Sequence, residues 1–257
     1  MDILTIKDLL QGYKNREYSS KEVIELFAGR SKDLQPKLNH YITLNKNLKD
    51  IPDQAIPVAY KDIFSTKNVK TTAASKILQN YIPPFSATVI EKLENSNFYS
   101  LGKLNCDAFA HGASGENSDF GATKNPYDTS LISGGSSSGS AVAVASGSVL
   151  VATATDTGGS VRVPASNCSI YGYRPSYGAI SLAGVNSLAP SFDTLGVFSG
   201  DIEILSSVIN VLLGVKDSNP FIQEKFYGGY SITEFYKADP SNNYLMDHGQ
   251  TLDELKR

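Results

Sequence analysis

The sequence predicts an α/β fold, in which strands and helices alternate around one core. Several short runs rich in β-branched or aromatic residues have strand character, and capping residues followed by apolar periodicity indicate helices between them. Neither an internal repeat nor a low-complexity linker divides the chain. We therefore expect one α/β domain over residues 1–216, followed by a polar, tyrosine-rich extension over residues 217–257.

The first half of the chain carries clear start signals for helices. Thr5 can cap a helix that ends near Tyr13, and Ser19 with Glu22 forms a capping box for a helix that reaches Leu34. Ser86 is expected to cap a third helix, with its apolar residues inward. The predicted strands of this half are residues 41–44, 56–60 and 99–103.

The second half predicts a helix of small residues, then a buried strand, then a turn. Residues 139–146 form the helix, which ends at Gly147, and residues 149–155 form the strand. Asp201 is expected to cap a last core helix that Gly214 terminates. An open α/β sheet places its sites beyond the carboxyl ends of such strands.

Composition favours an enzyme with a large core and excludes some other classes. The 257 residues are 41% hydrophobic and 19% charged, with a formal net charge of −3. With this charge balance, the chain has no positive electrostatic field of its own that would hold nucleic acid. Cys106 and Cys168 have no metal-ligand spacing and predict no disulfide framework. Residues 141–154 are too short for a membrane span, and the N-terminus has no signal-peptide pattern.

Two segments poor in bulky side chains point to catalysis. They are residues 134–140 (GGSSSGS) and residues 156–164 (DTGGSVRVP). In the second, Gly158 and Gly159 leave the main chain bare just before Ser160, so consecutive N–H groups can point at one developing oxyanion. A tight strand-to-helix turn without any chemistry is the alternative interpretation.

The first segment, residues 134–140, does not match two glycine motifs that bind phosphate groups. A phosphate-binding loop needs lysine where Ser140 stands, and the glycine spacing does not match a dinucleotide fingerprint. A flexible linker is disfavoured by the apolar segments on both sides.

A nucleophile elbow remains open as a minor hypothesis. Residues 135–139 satisfy G-x-S-x-G with Ser137 at the centre. Asp156 or Asp193 would then supply the acid and His248 the base.

Lys61 is a candidate general base of another kind. It lies at the end of an apolar, strand-type run, IPVAYKDIF, that would carry its side chain inward. Burial lowers the pKa of a lysine toward the range in which the neutral amine accepts protons. A lysine in a strand can also extend to solvent, so the run alone leaves both interpretations open.

Four phrases together resemble the amidase signature family. They are IPVAYKDIF, LGKLNCDAFAHGASGENSDFGATKNPYD, SGGSSSGSAVAVASG and DTGGSVRVPASNCSIYGYRPSYG, and their order and spacing agree with the family from Ile3 to Leu212. The resemblance implies a mixed sheet flanked by helices. It also implies that the C-terminal part is shortened here, because family members continue well beyond this point. A compact lineage, a fragment and a subunit completed by another chain all stay open.

The resemblance implies a Ser, cis-Ser, Lys triad. By position, Ser160 is the nucleophile, Ser136 is the bridging serine after a cis peptide bond, and Lys61 is the base. The oxyanion hole falls on the main-chain N–H groups of Thr157, Gly158, Gly159 and Ser160.

Within the family, the phrases TTAASKIL, SGENSDFGATKNPYD, RPSYGAIS and SFDTLGVFS resemble the A subunits of glutamyl-tRNA(Gln) amidotransferases. That likeness implies glutamine, or another small amide, as substrate. It also implies a B-type partner subunit that holds most of the tRNA, and it leaves a third small subunit open. No cofactor is expected in this chain, and ATP and Mg are expected only in the partner subunit. The mitochondrial matrix is the expected compartment, with the cytoplasm as the alternative.

Two further alternatives follow from the same residues. The chain could be a general amidase of another substrate class. It could also be a non-catalytic scaffold subunit with relict motifs, although Lys61, Ser136 and Ser160 are all present.

Overall fold

The structure is a computed structural model that describes residues 5–214. It confirms the predicted α/β fold, with one six-stranded mixed sheet and flanking helices. The predicted extension over residues 217–257 lies outside the described residues, as does His248.

Six strands and six α-helices make up this part of the chain. The strands are β1 (Tyr41–Leu44), β2 (Ile56–Lys61), β3 (Phe98–Leu104), β4 (Val151–Asp156), β5 (Tyr171–Tyr173) and β6 (Thr194–Ser199). The helices are α1 (Ile6–Asn15), α2 (Ser20–Leu38), α3 (Thr88–Glu94), α4 (Ser138–Ala145), α5 (Arg162–Asn167) and α6 (Ile202–Leu213). Two single turns of 3₁₀ helix, Lys76–Leu78 and Ala108–Ala110, lie in the connections.

The strand order is β1-β3-β2-β4-β6-β5. The central strands β3, β2 and β4 run parallel, while β1 pairs antiparallel with β3 and the β4-β6-β5 side is antiparallel. Every residue of β2, β4 and β6 is buried. Both faces at the centre of the sheet are therefore covered, as expected for strands with continuous apolar runs.

Three of the four predicted helix caps are confirmed. Thr5 accepts from the Asp8 N–H, Ser19 and Glu22 form the capping box, and Asp201 accepts from two N–H groups of α6. The prediction that Ser86 caps α3 is wrong. Ala87 is the N-cap, without a side-chain bond, and Ser86 Oγ instead accepts from the N–H of Lys67.

The strands β5 and β6 were not predicted. β6 lies antiparallel to β4 along its whole length, from Val151 opposite Ser199 to Asp156 opposite Thr194. Its residues are buried by tertiary packing, but its short sequence, TLGVFS, contains a glycine and two hydroxyl residues that weaken the local strand pattern.

A buried ion pair fixes the chain just after β2. Lys103 Nζ lies 3.3 Å from Asp62 Oδ1 and donates to the Phe64 carbonyl and the Thr71 hydroxyl, each at 2.7 Å. Burial lowers the pKa of Lys103, and the neighbouring Asp62 opposes that shift. Because both side chains are buried, loss of either partner would leave an uncompensated charge in the core.

Gly139 allows α4 to approach the strands closely. Its N–H donates to the Asn105 carbonyl at 2.9 Å, and Asn105 N donates to the His40 carbonyl at 2.9 Å. A β-carbon at Gly139 would lie 2.6 Å from both N and O of Asn105. The glycine therefore sets how near the start of α4 comes to the end of β3.

No helix within residues 5–214 is long and apolar enough to cross a membrane.

Substitution of Gly139 by Ala should destabilise the fold, since main-chain atoms would have to move to admit the new methyl group. We expect a loss of about 1–3 kcal/mol in the free energy of unfolding, measured by urea titration. Gly29→Ala is the matched control, because Gly29 lies inside α2 with nothing within 4 Å of its added β-carbon. It should gain about 0.5–1 kcal/mol. Equal stability of the two variants would contradict this account of α4.

Candidate active site

Three chain segments meet at one edge of the sheet. β2 ends at Lys61, β4 ends at Asp156, and α4 begins at Ser138. Because β2 and β4 are parallel neighbours, their carboxyl ends lie at the same edge. This is the edge at which open α/β sheets bind their ligands.

The Lys61 side chain is buried, and its amine lies among hydroxyl groups. Nζ is 2.8 Å from Ser136 Oγ, 3.0 Å from Ser137 Oγ and 3.0 Å from Thr155 Oγ1. Burial lowers the pKa of Lys61 to about 8, because the ammonium form loses its hydration. A large fraction of the amine is therefore neutral at mildly alkaline pH.

The hydrogen bonds around Nζ suit a neutral amine. Ser137 Oγ donates to the Thr155 carbonyl at 3.2 Å, so it accepts from Lys61. A neutral amine carries two protons and one lone pair. It can donate to Ser137 and Thr155 and still accept the proton of Ser136 Oγ.

The main chain at Ser136 is held from several sides. The peptide bond between Gly135 and Ser136 is cis. Asp107 N donates to the Ser136 carbonyl at 3.0 Å, and Gly135 N donates to the Ala113 carbonyl at 2.8 Å. A β-carbon on Gly135 would overlap the Asp107 carboxylate, so only glycine permits this approach.

Ser160 lies in the turn between β4 and α5, and the residue is 8% exposed. Within the described residues its hydroxyl makes no hydrogen bond, and none joins it to Ser136 Oγ. The main-chain N–H groups of Thr157, Gly158 and Ser160 also have no acceptor in this part of the chain. N–H groups without another acceptor can stabilise a developing oxyanion. Here they lie beside the hydroxyl of the predicted nucleophile.

The Asp156 carboxylate organises this turn. Its Oδ1 accepts from the Gly159 N–H at 2.8 Å, and its Oδ2 accepts from the Val161 N–H at 3.1 Å. Arg162 donates to both oxygens, at 2.9 and 3.1 Å. Burial acts to raise the pKa of Asp156, but these donors hold it below its usual value. Gly159 thus directs its N–H to the carboxylate, unlike the other donors predicted for the oxyanion hole.

The position of Ser137 does not favour the elbow hypothesis. Ser137 is fully buried, whereas an elbow nucleophile must be exposed to substrate. Both candidate acids are bonded elsewhere, Asp156 to the turn after β4 and Asp193 to residues 187–189. The proposed base, His248, lies outside the described residues.

Thr153 and Thr155 are site residues that the sequence interpretation missed. Thr153 Oγ1 accepts from the Lys61 N–H at 3.1 Å, and Thr155 Oγ1 contacts Nζ. Residues two apart in a strand share a face. Two threonines at that spacing in an otherwise apolar strand were the available signal.

A cavity of about 380 Å³ borders Thr155. Its wall is mixed, and the polar residues in it are Thr155, Tyr177, Ser181, Asn186, Ser187 and Asp193. The apolar wall residues are Ala110, Ile180, Leu182, Val185, Leu188 and Pro190. A cavity of this size and character suits a small amide.

Within residues 5–214, no three His, Cys, Asp or Glu side chains are grouped so that they could hold a metal ion. Cys106 and Cys168 are buried free thiols. The groups that meet at this edge of the sheet are an amine, hydroxyls and main-chain donors.

Comparisons with known proteins show which family this chain belongs to. Residues 9–228 match the amidase family. The A subunit of glutamyl-tRNA(Gln) amidotransferase from Thermoanaerobacter pseudethanolicus is 43% identical over 82% of this chain and 46% of that protein.

Two solved structures have the same fold. The crystal structure of the A subunit of glutamyl-tRNA(Gln) amidotransferase from Thermotoga maritima has a TM-score of 0.73 and 35% identity, covering 82% of this chain and 48% of the other. Native peptide amidase from Stenotrophomonas maltophilia has a TM-score of 0.75 and 28% identity, covering 90% of this chain and 51% of the other.

The chain spans about half the length of the relatives it matches. The family match nevertheless covers every segment that meets at the site, from β2 to α5. On this match and on the shared fold, the chain belongs to the amidase family.

Proposed function

We propose that this chain is an amidase that hydrolyses the side-chain amide of glutamine, as the A subunit of a glutamyl-tRNA(Gln) amidotransferase. The observation that carries the proposal is the buried Lys61 amine, 2.8 Å from Ser136 Oγ. The similarity to the A subunits of glutamyl-tRNA(Gln) amidotransferases supports the choice of substrate.

In the acylation step, Ser160 Oγ attacks the amide carbon. The Ser160 proton passes to Ser136, while the Ser136 proton passes to the neutral Lys61 amine. The amide oxygen becomes an oxyanion that accepts from the N–H groups of Thr157, Gly158 and Ser160, which have no other acceptor within residues 5–214. Each aligned donor lowers such a barrier by about 3 kcal/mol.

Collapse of the tetrahedral intermediate breaks the C–N bond. Lys61 returns its proton through Ser136 to the leaving nitrogen, and ammonia departs. The glutamyl ester on Ser160 is then hydrolysed by water, whose proton follows the same route to Lys61. The ester C–O bond to Ser160 then breaks, and Lys61 returns that proton through Ser136 to Ser160 Oγ. Glutamate leaves, and all three side chains regain their starting protonation.

The proposal extends to partners and compartment. A B-type subunit, with a third small subunit, would use the ammonia to convert Glu-tRNA(Gln) to Gln-tRNA(Gln). ATP and Mg would act in that partner, which would also hold the tRNA, because this chain has a net charge of −3. The proposed compartment is the mitochondrial matrix, with the cytoplasm as the alternative.

A general amidase is the second candidate function. The apolar residues of the cavity wall support it, since a neutral amide would contact these side chains favourably. The similarity to a peptide amidase points the same way. Ammonia assays with glutamine and with neutral aliphatic amides distinguish the two candidates.

Replacement of Ser160 by Ala should abolish ammonia release from glutamine, measured on the chain together with its co-purified partners. Loss of the nucleophile lowers kcat on the order of 10⁶-fold in comparable triads. Ser166→Ala is the matched control, because Ser166 is an exposed serine of α5. It should retain wild-type activity.

A fluorophosphonate probe identifies the reactive serine independently of the substrate. Mass spectrometry should find the label on Ser160. Label on Ser137 would favour the elbow hydrolase, and a wild-type chain that takes no label would favour the scaffold hypothesis.

The pH profile of kcat/KM should rise with pH and level off above about 8. The lowered pKa of Lys61, about 8, means that the amine is protonated below this value and cannot accept a proton from Ser136. Activity should therefore fall about tenfold per pH unit below pH 7.

The Lys61→Met variant provides the control for this assignment. Its activity should be lower by about 10²- to 10⁴-fold, and its kcat/KM should no longer rise with pH up to about 8. A rise that persists in Lys61→Met would show that another group titrates.

A further inference from the structure

We propose that Asp193 is a positioning residue, which joins the wall of the cavity to the turn that carries Ser160. Its catalytic consequences rest on the function proposed above. The link itself is a property of the fold and can be measured without any substrate.

Asp193 binds two separate segments through one carboxylate. On one side, Oδ1 accepts from the Thr157 hydroxyl at 2.5 Å. On the other side, Oδ2 accepts from the Ser187 hydroxyl at 2.6 Å and from the Leu188 N–H at 2.9 Å. The Ala189 N–H lies 3.1 Å from both oxygens. The carboxylate is therefore shared between the cavity wall and the turn.

The strand pairing makes Asp193 a rigid anchor. Asp193 immediately precedes β6, whose first residue, Thr194, pairs with Asp156 at the end of β4. Asp193 is 4% exposed. An anchor that is buried and tied to the sheet can hold two partners at one distance.

Neutral donors surround the charge. Within residues 5–214 no lysine or arginine forms an ion pair with Asp193. Burial acts to raise the pKa of Asp193, but bonds from Ser187, Thr157 and the two N–H groups hold it below the usual value. The ionised carboxylate is thus kept as an acceptor only, which fits donors on both sides.

Both partners of Asp193 lie where position matters for the reaction. Thr157 carries an unpaired N–H near Ser160, in the predicted oxyanion hole. Ser187 and Leu188 line the cavity. Asp193 therefore fixes the position of the oxyanion donors relative to the cavity wall.

Three substitutions separate the two sides of the link. Thr157→Val removes the hydroxyl on the turn, Ser187→Ala removes the hydroxyl on the wall, and Asp193→Asn disturbs both. Asp128→Asn is the matched control, since Asp128 also accepts from a serine N–H and hydroxyl but lies in an exposed loop.

Hydrogen exchange, followed by mass spectrometry on the full chain, tests the link without substrate. Asp193→Asn should speed exchange of the bonded N–H groups of Gly159 and Val161 in the turn, and of Leu188 and Ala189 in the wall, because both segments lose a partner. Thr157→Val should act on the first segment and Ser187→Ala on the second. Asp128→Asn should change neither.

Kinetics with glutamine test the consequence for the reaction. Thr157→Val should lower kcat about tenfold with little change in KM, as expected for the loss of one bond to a charged acceptor. Ser187→Ala should mainly raise KM. Asp193→Asn should do both, and adding Thr157→Val to it should lower kcat no further.

Exchange at Gly159 and Val161 that stays at the wild-type rate in Asp193→Asn would overturn the proposal. So would a kcat loss in Thr157→Val that adds fully to that of Asp193→Asn. If the exchange pattern holds while the wild-type complex releases no ammonia, the positional link stands and the proposed function fails.

Discussion

The site depends on a lysine amine that is withdrawn from water and surrounded by hydroxyl groups. An isolated ammonium in the core would be costly, so Lys61 is held by three hydroxyl partners and shifts toward its neutral form. That shift is what lets an amine act as a base. The parallel pairing of β2 with β4 brings Thr155 to the amine, and the approach of α4 brings Ser136 and Ser137.

Two buried carboxylates maintain the other half of the site. Asp156 lies under the turn and fixes the direction of the chain at Gly159 and Val161. Asp193 holds Thr157 from the side. Each carboxylate is ionised and accepts several hydrogen bonds from N–H or O–H groups. Both residues lie where the paired ends of β4 and β6 meet. The turn that carries Ser160 is therefore preorganised by the sheet, as electrostatic stabilisation of an oxyanion requires.

The helix ends that the sequence predicted correctly are those that depend on local signals. Ser19 with Glu22 caps the start of α2, Asp201 caps the start of α6, and Gly214 ends α6. Each of these signals acts within one helical turn, so it can be recognised from the sequence alone. Ser86 failed because its hydroxyl bonds Lys67, a residue distant in sequence. Strand β6 was missed for a similar reason, since its pairing with β4 comes from tertiary contact rather than from a local pattern.

The sequence by itself determined the α/β class, the family resemblance and the three residue types of the proposed triad, because short motifs and periodicity are properties of neighbouring residues. Only the tertiary structure decided that Thr155 joins Ser136 at the Lys61 amine, that Ser137 is buried, and that Gly159 turns its N–H to Asp156. These outcomes depend on distances between segments up to 94 residues apart in the chain. Such distances are set by packing of the whole sheet, so no local pattern encodes them.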